Sequence, residues 1–523
     1  MNKLELVLGR TPKLGLTEGQ GVGGAKRGGR RAGRALLALA VVGVLGAAGC
    51  AVGPNYKAPD TTMPASWPAT APAAKGPAPA TQVGAKTLAA TYVTSGAAHL
   101  AGWWSSFHDP ILDSLIVRSL KQNLSLQSAL AAVRQARYQL NSTAANLGPF
   151  VTGNASYNHS RSSNNLSKEG GTKSEGDLFQ SGFDATWQLD IFGGIRRSVE
   201  QYKALLQAAE DNRRAVMVTL VSEVASDYIT LRGVQSQIAV ADRNIVLQRQ
   251  TVKLTQQQMQ AGFNTGLDLA NAQAQLATTE SQLPPLKTQE QQLIYALGIL
   301  LGQAPDSVAS ELIVPHPIPP TPPSVPIGLP GDLLLNRPDV RAAERQLAAA
   351  TAGIGVAEAD LYPKFVINGN IGFSAVDAAK WFDANSLTWG IGPSVSWNIL
   401  SSGQVQSNIN AQKAVRDQDF YTYKETVLQA LDDVDSALAA YNQEHAHRRA
   451  LMAAVADNER AVALSTKLYR NGLTSFLNVL QAQGALYATQ NSLVQSNLAL
   501  STDLVALYKA IGGGWQVGKT MAK

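Results

Sequence analysis

Four short stretches of the chain alternate apolar and polar residues. They fall into two pairs, each followed by a long run without proline. In the first pair Val151, Ala155 and Tyr157 alternate with Thr152, Asn154, Ser156 and Asn158; then Phe183, Ala185, Trp187, Leu189 and Ile191 alternate with Asp184, Thr186, Gln188 and Asp190. In the second pair Phe365, Ile367, Ile371 and Phe373 stand against Asn368, Asn370 and Ser374; Leu387, Trp389, Ile391, Val395, Trp397 and Ile399 stand against Thr388, Ser394, Ser396 and Asn398. A period of two over about ten residues specifies a strand with one oily and one wet face. A tilted strand also needs about ten residues to cross a bilayer. Four strands cannot close a barrel, so the pattern predicts a pore assembled from several copies.

The formal charge of +6 over 523 residues is local. Residues 1–34 hold eight of the 44 Lys/Arg and two of the 38 Asp/Glu, which leaves 36 of each in the rest of the chain. Without a basic domain, no nucleic-acid partner is expected. The basic stretch leads into an apolar run from Ala35 to Leu45 and then small residues Gly46 to Gly49, the three parts of a secretory signal. The basic part is long for a signal, which points to a start downstream of Met1. The apolar run is too short for a comfortable membrane-spanning helix. It ends at Cys50, the only cysteine, and Ala47-Ala48-Gly49-Cys50 resembles a bacterial lipobox with Ala47 where Leu is usual. That resemblance implies a signal peptide over 1–49 and a covalent, palmitate-bearing lipid on Cys50 as the mature N-terminus. Ala51 in place of Asp resembles the outer-membrane sorting choice. No later stretch approaches 18 consecutive apolar residues, so any membrane crossing falls to strands, whose backbone groups can satisfy one another.

Residues 50–102, rich in Pro, Ala and Thr, are expected to be an extended tether. Asp109 is placed as an N-cap with Pro110 at the first helical position, and a helix is expected to run to about Leu147. Between Gly194 and Pro284 there is no proline, which leaves room for a helix from about Ile195 to Gln260, about 100 Å long. Leu231, Ile238, Ile245, Val252 and Met259 recur every seven residues, with Val234, Ala241, Gln248 and Thr255 on the companion seam. The chain turns at Ala261–Gly266, and Leu269, Leu276 and Leu283 bring it back antiparallel. The second half repeats the first at an offset of 210: Trp187 and Trp397, Gly193 and Gly403, Gly262 and Gly472, Leu267 and Leu477, Gly302 and Gly512. Upstream of the strands the offset is 214, matching Pro149 to Pro363. Such a repeat indicates duplication. The first repeat spans 103–304, with a helix, a strand hairpin at 149–192 and a helical hairpin whose tip is near 262. A Pro-rich connector, 305–330, joins it to the second repeat, 331–512, with a strand hairpin at 364–400 and a tip near 472. Residues 513–523 form a C-terminal tail.

Val52-Gly-Pro-Asn-Tyr56 with Pro59, Trp187–Gly193, Leu329–Val340 and Ile511–Trp515 together resemble the TolC-like outer-membrane efflux protein family, in the lipoprotein branch (NodT/OprM-like) that serves resistance-nodulation-division (RND) pumps. The resemblance covers essentially the whole mature chain. It implies an α+β membrane protein: a homotrimer whose 12-stranded outer-membrane β-barrel is continuous with a periplasmic α-helical coiled-coil tunnel. The apolar strand faces would meet lipid, and the loops at 160–182 and 375–387 would lie outside the cell. The far end of the tunnel would be gated by the two helical tips, at Gly262 with Asp268 and at Gly472 with Tyr469. Asn478 holds the place that repeats Asp268, so any carboxylate ring rests on Asp268 alone. Trp187, Gly193, Trp397 and Gly403 would mark the barrel–helix junctions. The implied partners are a periplasmic adaptor, an inner-membrane RND pump and outer-membrane lipid of a Gram-negative cell. The implied activity is passive export of drugs or other small molecules, with no catalytic residue, no metal and no cofactor besides the Cys50 lipid. Two rivals are the exit duct of a type I protein-secretion system and a non-pore periplasmic coiled-coil scaffold; the latter has no use for lipid-length amphipathic strands.

Gly513–Thr520 matches the phosphate-loop pattern, but that mechanism needs a strand before the loop and a helix after it, and here a helix precedes it. His445 and His447 are too close in sequence to share a helix face, and His99, His108, His159 and His316 show no ligand spacing.

Overall fold

The chain divides into Met1–Cys50 and Ala51–Lys523. The computed structural model describes residues 51–60, 63–64, 67, 92–94, 100–163, 175–263, 265–322, 324–326, 330–334 and 336–516. The expected signal peptide and the lipid-bearing Cys50 lie outside the described residues. The helices are α1 (Pro110–Gln122), α2 (Leu124–Ala145), α3 (Gly194–Gln260), α4 (Gly266–Glu280), α5 (Leu283–Leu300), α6 (Ala309–Leu312), α7 (Pro330–Leu334), α8 (Pro338–Ala359), α9 (Gln404–Arg470) and α10 (Phe476–Ala510). The strands are β1 (Tyr92–Thr94), β2 (Phe150–Arg161), β3 (Glu175–Leu189), β4 (Ser324–Pro326), β5 (Lys364–Ala375) and β6 (Leu387–Ser396).

β2, β3, β5 and β6 form one four-stranded antiparallel sheet in that order. Directly opposed residues share a face, and the register opposes apolar to apolar: Val151 to Ala185, Tyr157 to Phe179, Phe183 to Ile371 and Ile371 to Trp389. The polar set lines the other face, with Thr152 opposite Asp184 and Asp184 opposite Asn370. A one-residue slip of any strand would mix the faces. β3 starts at Glu175, inside the expected 160–182 loop, because the pairing continues: Phe179 packs on Tyr157 at 4.9 Å, and Asp177 lies 2.8 Å from His159 Nδ1. The 375–387 loop contains two short 3-10 turns, and its stacked Trp381 and Phe382 fold back onto Phe179 and Phe373.

α3 and α9 are each 67 residues long, about 100 Å at the usual helical rise. On α3 the whole companion seam is buried (Val234, Ala241, Gln248, Thr255), as are Leu231 and Ile245; Ile238, Val252 and Met259 are half-buried. The helix expected to run to Leu147 instead breaks at Asn123, whose ψ of 129° is non-helical. Its side chain accepts from Leu126 N–H (2.9 Å) and donates to Leu300 O (2.9 Å), capping one helix while tying it to another. The first return arm also breaks, between α4 and α5, where Pro284 and Pro285 open a new first turn without N–H groups. In the second repeat those places hold Val494 and Gln495, and α10 runs unbroken for 35 residues.

The main core gathers Trp103, Trp104 and Phe107 with α1, the middle of α3, α5 and the end of α10. Its extent corrects two expectations. The tail contributes to the core: Trp515 is buried, and Gly514 N–H donates to Leu100 O at 2.9 Å. The tether is not detached from the fold either: β1 within it pairs in parallel with β4 of the connector, and Trp67 is buried. Among the described residues no helix is long and apolar enough to cross a membrane.

Candidate functional site

The two strand-to-helix junctions are built alike. Trp187 Nε1–H donates to Leu147 O at 2.9 Å, and Trp397 Nε1–H donates to Leu361 O at 3.0 Å. Each indole therefore ties the end of a strand pair to the helix end that precedes Pro149 or Pro363. Gly193 (φ 79°) and Gly403 (φ 82°) then turn the chain into α3 and α9 in the left-handed region, where a side chain is strained. The junctions differ in their caps. Asp190 accepts from the Ile195 and Arg196 amides, both at 2.9 Å, at the start of α3. The repeat-related residue is Leu400, 90% exposed, and α9 starts without a side-chain cap. The alternation had assigned Asp190 only to the polar face of a strand, and its capping role was missed.

The Leu329–Val340 signature has its physical content in Arg337, 8% exposed, which precedes α8. Its guanidinium bonds Asp339 in bidentate fashion (3.1 and 2.7 Å), Asp433 on α9 (2.9 Å) and Ala510 O at the end of α10 (2.8 Å). Burial alone would raise the Asp339 carboxyl, but the Arg337 bonds and charge hold it below the usual range. Sequence reasoning quoted this stretch as a signature and gave Arg337 no task.

At the tips, Gly262 (φ 79°) and Gly472 (φ 71°) sit just past the ends of α3 and α9, with open space where a Cβ would be. Backbone conformation alone calls for glycine there. Tyr469 is buried (5% exposed) in a small cluster with Phe476, Val479 and Ala272, which joins one hairpin to the other. Its ring lies 5.5 Å from that of Phe476. Asp268 turns back on its own helix start, accepting from Thr265 N–H (3.3 Å) and Thr265 Oγ1–H (3.2 Å). Asn478 does not repeat this cap: it donates to Thr474 Oγ1 at 2.6 Å, ahead of the N-cap Ser475, and α10 starts without a side-chain cap bond. Around these turns Phe263, Leu267, Leu473 and Leu477 are all more than half exposed, two repeat-related pairs of apolar side chains at the turn edge.

Among the described residues no group of three potential ligands could hold a metal ion. His447 Nδ1 lies 3.1 Å from Glu444 on the same helix, and His445 packs edge-on to Tyr441. The start of the phosphate-loop match, Gly513–Gly514, packs on Trp103 after a helix; residues 517–520 lie outside the described set.

Residues 115–303 and 329–513 match the family model described as outer membrane efflux protein. Nodulation protein T of Rhizobium leguminosarum bv. viciae is 31% identical over 483 residues, covering 92% of this chain and 94% of that protein. The antibiotic efflux pump outer membrane protein ArpC of Pseudomonas putida is 29% identical, covering 92% and 96%. Among solved structures, the outer-membrane channel OprN superposes with a TM-score of 0.81 at 32% identity, over 89% of this chain and all of that one.

Proposed function

From the premise that this chain belongs to the outer membrane efflux protein family, we propose that three copies close their sheets into one 12-stranded barrel above a single helical tunnel. The chain is an outer-membrane channel extending into the periplasm. It is the exit component of a tripartite efflux system that also contains an adaptor and an inner-membrane pump. The observation that carries closure by further copies is the sheet itself: it has one continuous apolar face, yet its outer strands β2 and β6 leave two open edges, and the family supports the count of three. Unpaired backbone groups cost several kcal/mol each in lipid, and only closure removes them. The long helices support the same reading, because α9 has no buried residue from 442 to 468 and awaits a neighbour.

In this assembly the Tyr469–Phe476 cluster holds the tips together, and Gly262 and Gly472 are the reversals about which they part. Asp268 caps α4 and, in three copies, sets a ring of carboxylates at the narrow end. Cys50 carries the lipid that fixes the chain to the inner leaflet. The duct does no chemistry of its own; the pump supplies the energy and chooses the cargo, drugs or other small molecules. Relatives named for antibiotics, toluene and cations are 29%, 29% and 28% identical to this chain, a near-constant likeness across unlike cargoes that supports selection elsewhere. The test is single-channel conductance of the purified protein in planar bilayers; a protein that inserts and never conducts is not a duct. Mass spectrometry of the mature N-terminus tests the anchor, and an unmodified cysteine there refutes it.

A further inference from the structure

The segment Ala51–Tyr56 lies across the sheet-proximal ends of α3 and α8. Val52 N–H donates to Phe192 O, in the turn before α3, at 3.1 Å. From the first turn of α3, Arg197 (4% exposed) donates Nε–H to Val52 O at 2.9 Å, and Nη2–H to Gly53 O at 3.1 Å and Asn55 Oδ1 at 2.8 Å. Its Nη1 is held by Glu200 at 2.7 Å. Gly53 has φ +89°, and a Cβ there would come within 2.4 Å of Gly355 Cα on α8. A Cβ on Gly355 would meet Val52 O and Arg197 Cγ, each at 2.9 Å. Tyr56 packs against Ala204 of α3 with Ala348 and Ala349 of α8, and its hydroxyl donates to Glu344 Oε1 at 2.7 Å. Burial, then that bond, pushes the hydroxyl above its ordinary range.

We infer that Ala51–Tyr56 is a clip and the Arg197 pocket its receptor, and that the clip cross-braces the two repeats where their helices meet the sheet. α3 and α8 touch here through Ala204, Ala348, Ala349 and Gly355, residues small enough for close approach but with little apolar area to hold it. The hold comes instead from charge-assisted bonds to the buried Arg197 guanidinium. A buried guanidinium without its acceptors is strongly unfavourable, so an emptied seat forces the helix ends to rearrange. The peptide after Cys50 is thus a structural part of the junction, at the end of α3 opposite the tip. This brace depends on neither the trimer nor the efflux reading.

Hydrogen–deuterium exchange on the full-length protein, extracted from membranes in detergent, tests it with peptides covering 51–57 and 350–359. Arg197→Lys supplies one ammonium where a fork is needed, and Gly355→Ala fills the seat from the other side. Each is expected to speed exchange of both peptides at least ~10-fold, the equivalent of one charged hydrogen bond at about 1.4 kcal/mol. Asn55→Ala removes one acceptor and leaves every helix residue in place; it is expected to act in the same direction, and it stands if the helix variants fail to assemble. Unchanged exchange at 51–57 overturns the clip. Faster exchange at 51–57 with 350–359 unchanged overturns the brace.

Discussion

Removing the Arg337 guanidinium would leave Asp339 and Asp433 without the cation between them, and Ala510 O without its donor. Arg337→Ala is expected to cost roughly 1.5–3 kcal/mol, the scale of lost charge-assisted bonds whose carboxylates stay partly in water, read as a lower midpoint in denaturant. Arg337→Lys should recover only a small part, because one ammonium cannot make the bidentate contact. The same knot has a pH signature. The Asp339 carboxyl is held below its unfolded value, so its contribution is complete above about pH 4 and fades as pH falls through the folded value. Asp339→Asn should flatten the stability curve below about pH 4 and leave its shape at pH 7 unchanged. This residue's place in a motif was legible in the chain. Beyond Asp339, two partners of Arg337 lie 96 and 173 positions away, on two other helices, and no local pattern names them.

For the strands, the two faces make opposite predictions at adjacent positions. Ile371→Lys puts a charge on the apolar face and is expected to cost roughly 2–4 kcal/mol in the bilayer, seen as loss of heat-resistant assembly in membranes. Asn370→Lys, one residue away on the polar face, is expected to assemble normally; equal tolerance of both would refute the face assignment. For the helical tips, Tyr469→Ala removes the ring that bridges the hairpins and should weaken their contact by roughly 3–5 kcal/mol. Its expected effect is a larger single-channel conductance, with the exposed Leu473→Ser as a control that changes nothing. Period-two alternation made β2, β5 and β6 readable, and the proline-free runs made α3 and α9 readable. The breaks at Asn123 and Ser281 were not read. The first depends on a bond to Leu300 O that only folding creates; the second had a signal, Pro284-Pro285, that the recurrence of Leu276 and Leu283 overrode.

At the scale of the whole molecule, light scattering of the purified protein should give the mass of three chains; a stable monomer or dimer would sink the 12-stranded barrel. The sequence by itself determined the duplication, the strand faces, the lengths of the long helices and the positions of both reversals. These follow from periods of 2, 3.5 and 210, from glycines where φ must be positive, and from prolines where a helix cannot continue. Only the tertiary structure decided what Arg197, Asp190, Arg337 and Tyr469 do, and that the stretches expected to be tether, connector and tail include packed pieces. The physical reason is range. Alternation and heptads are properties of neighbours along the chain, whereas the buried Arg197 and Arg337 take acceptors 145 and 173 residues away, and these meet only once the helices are packed.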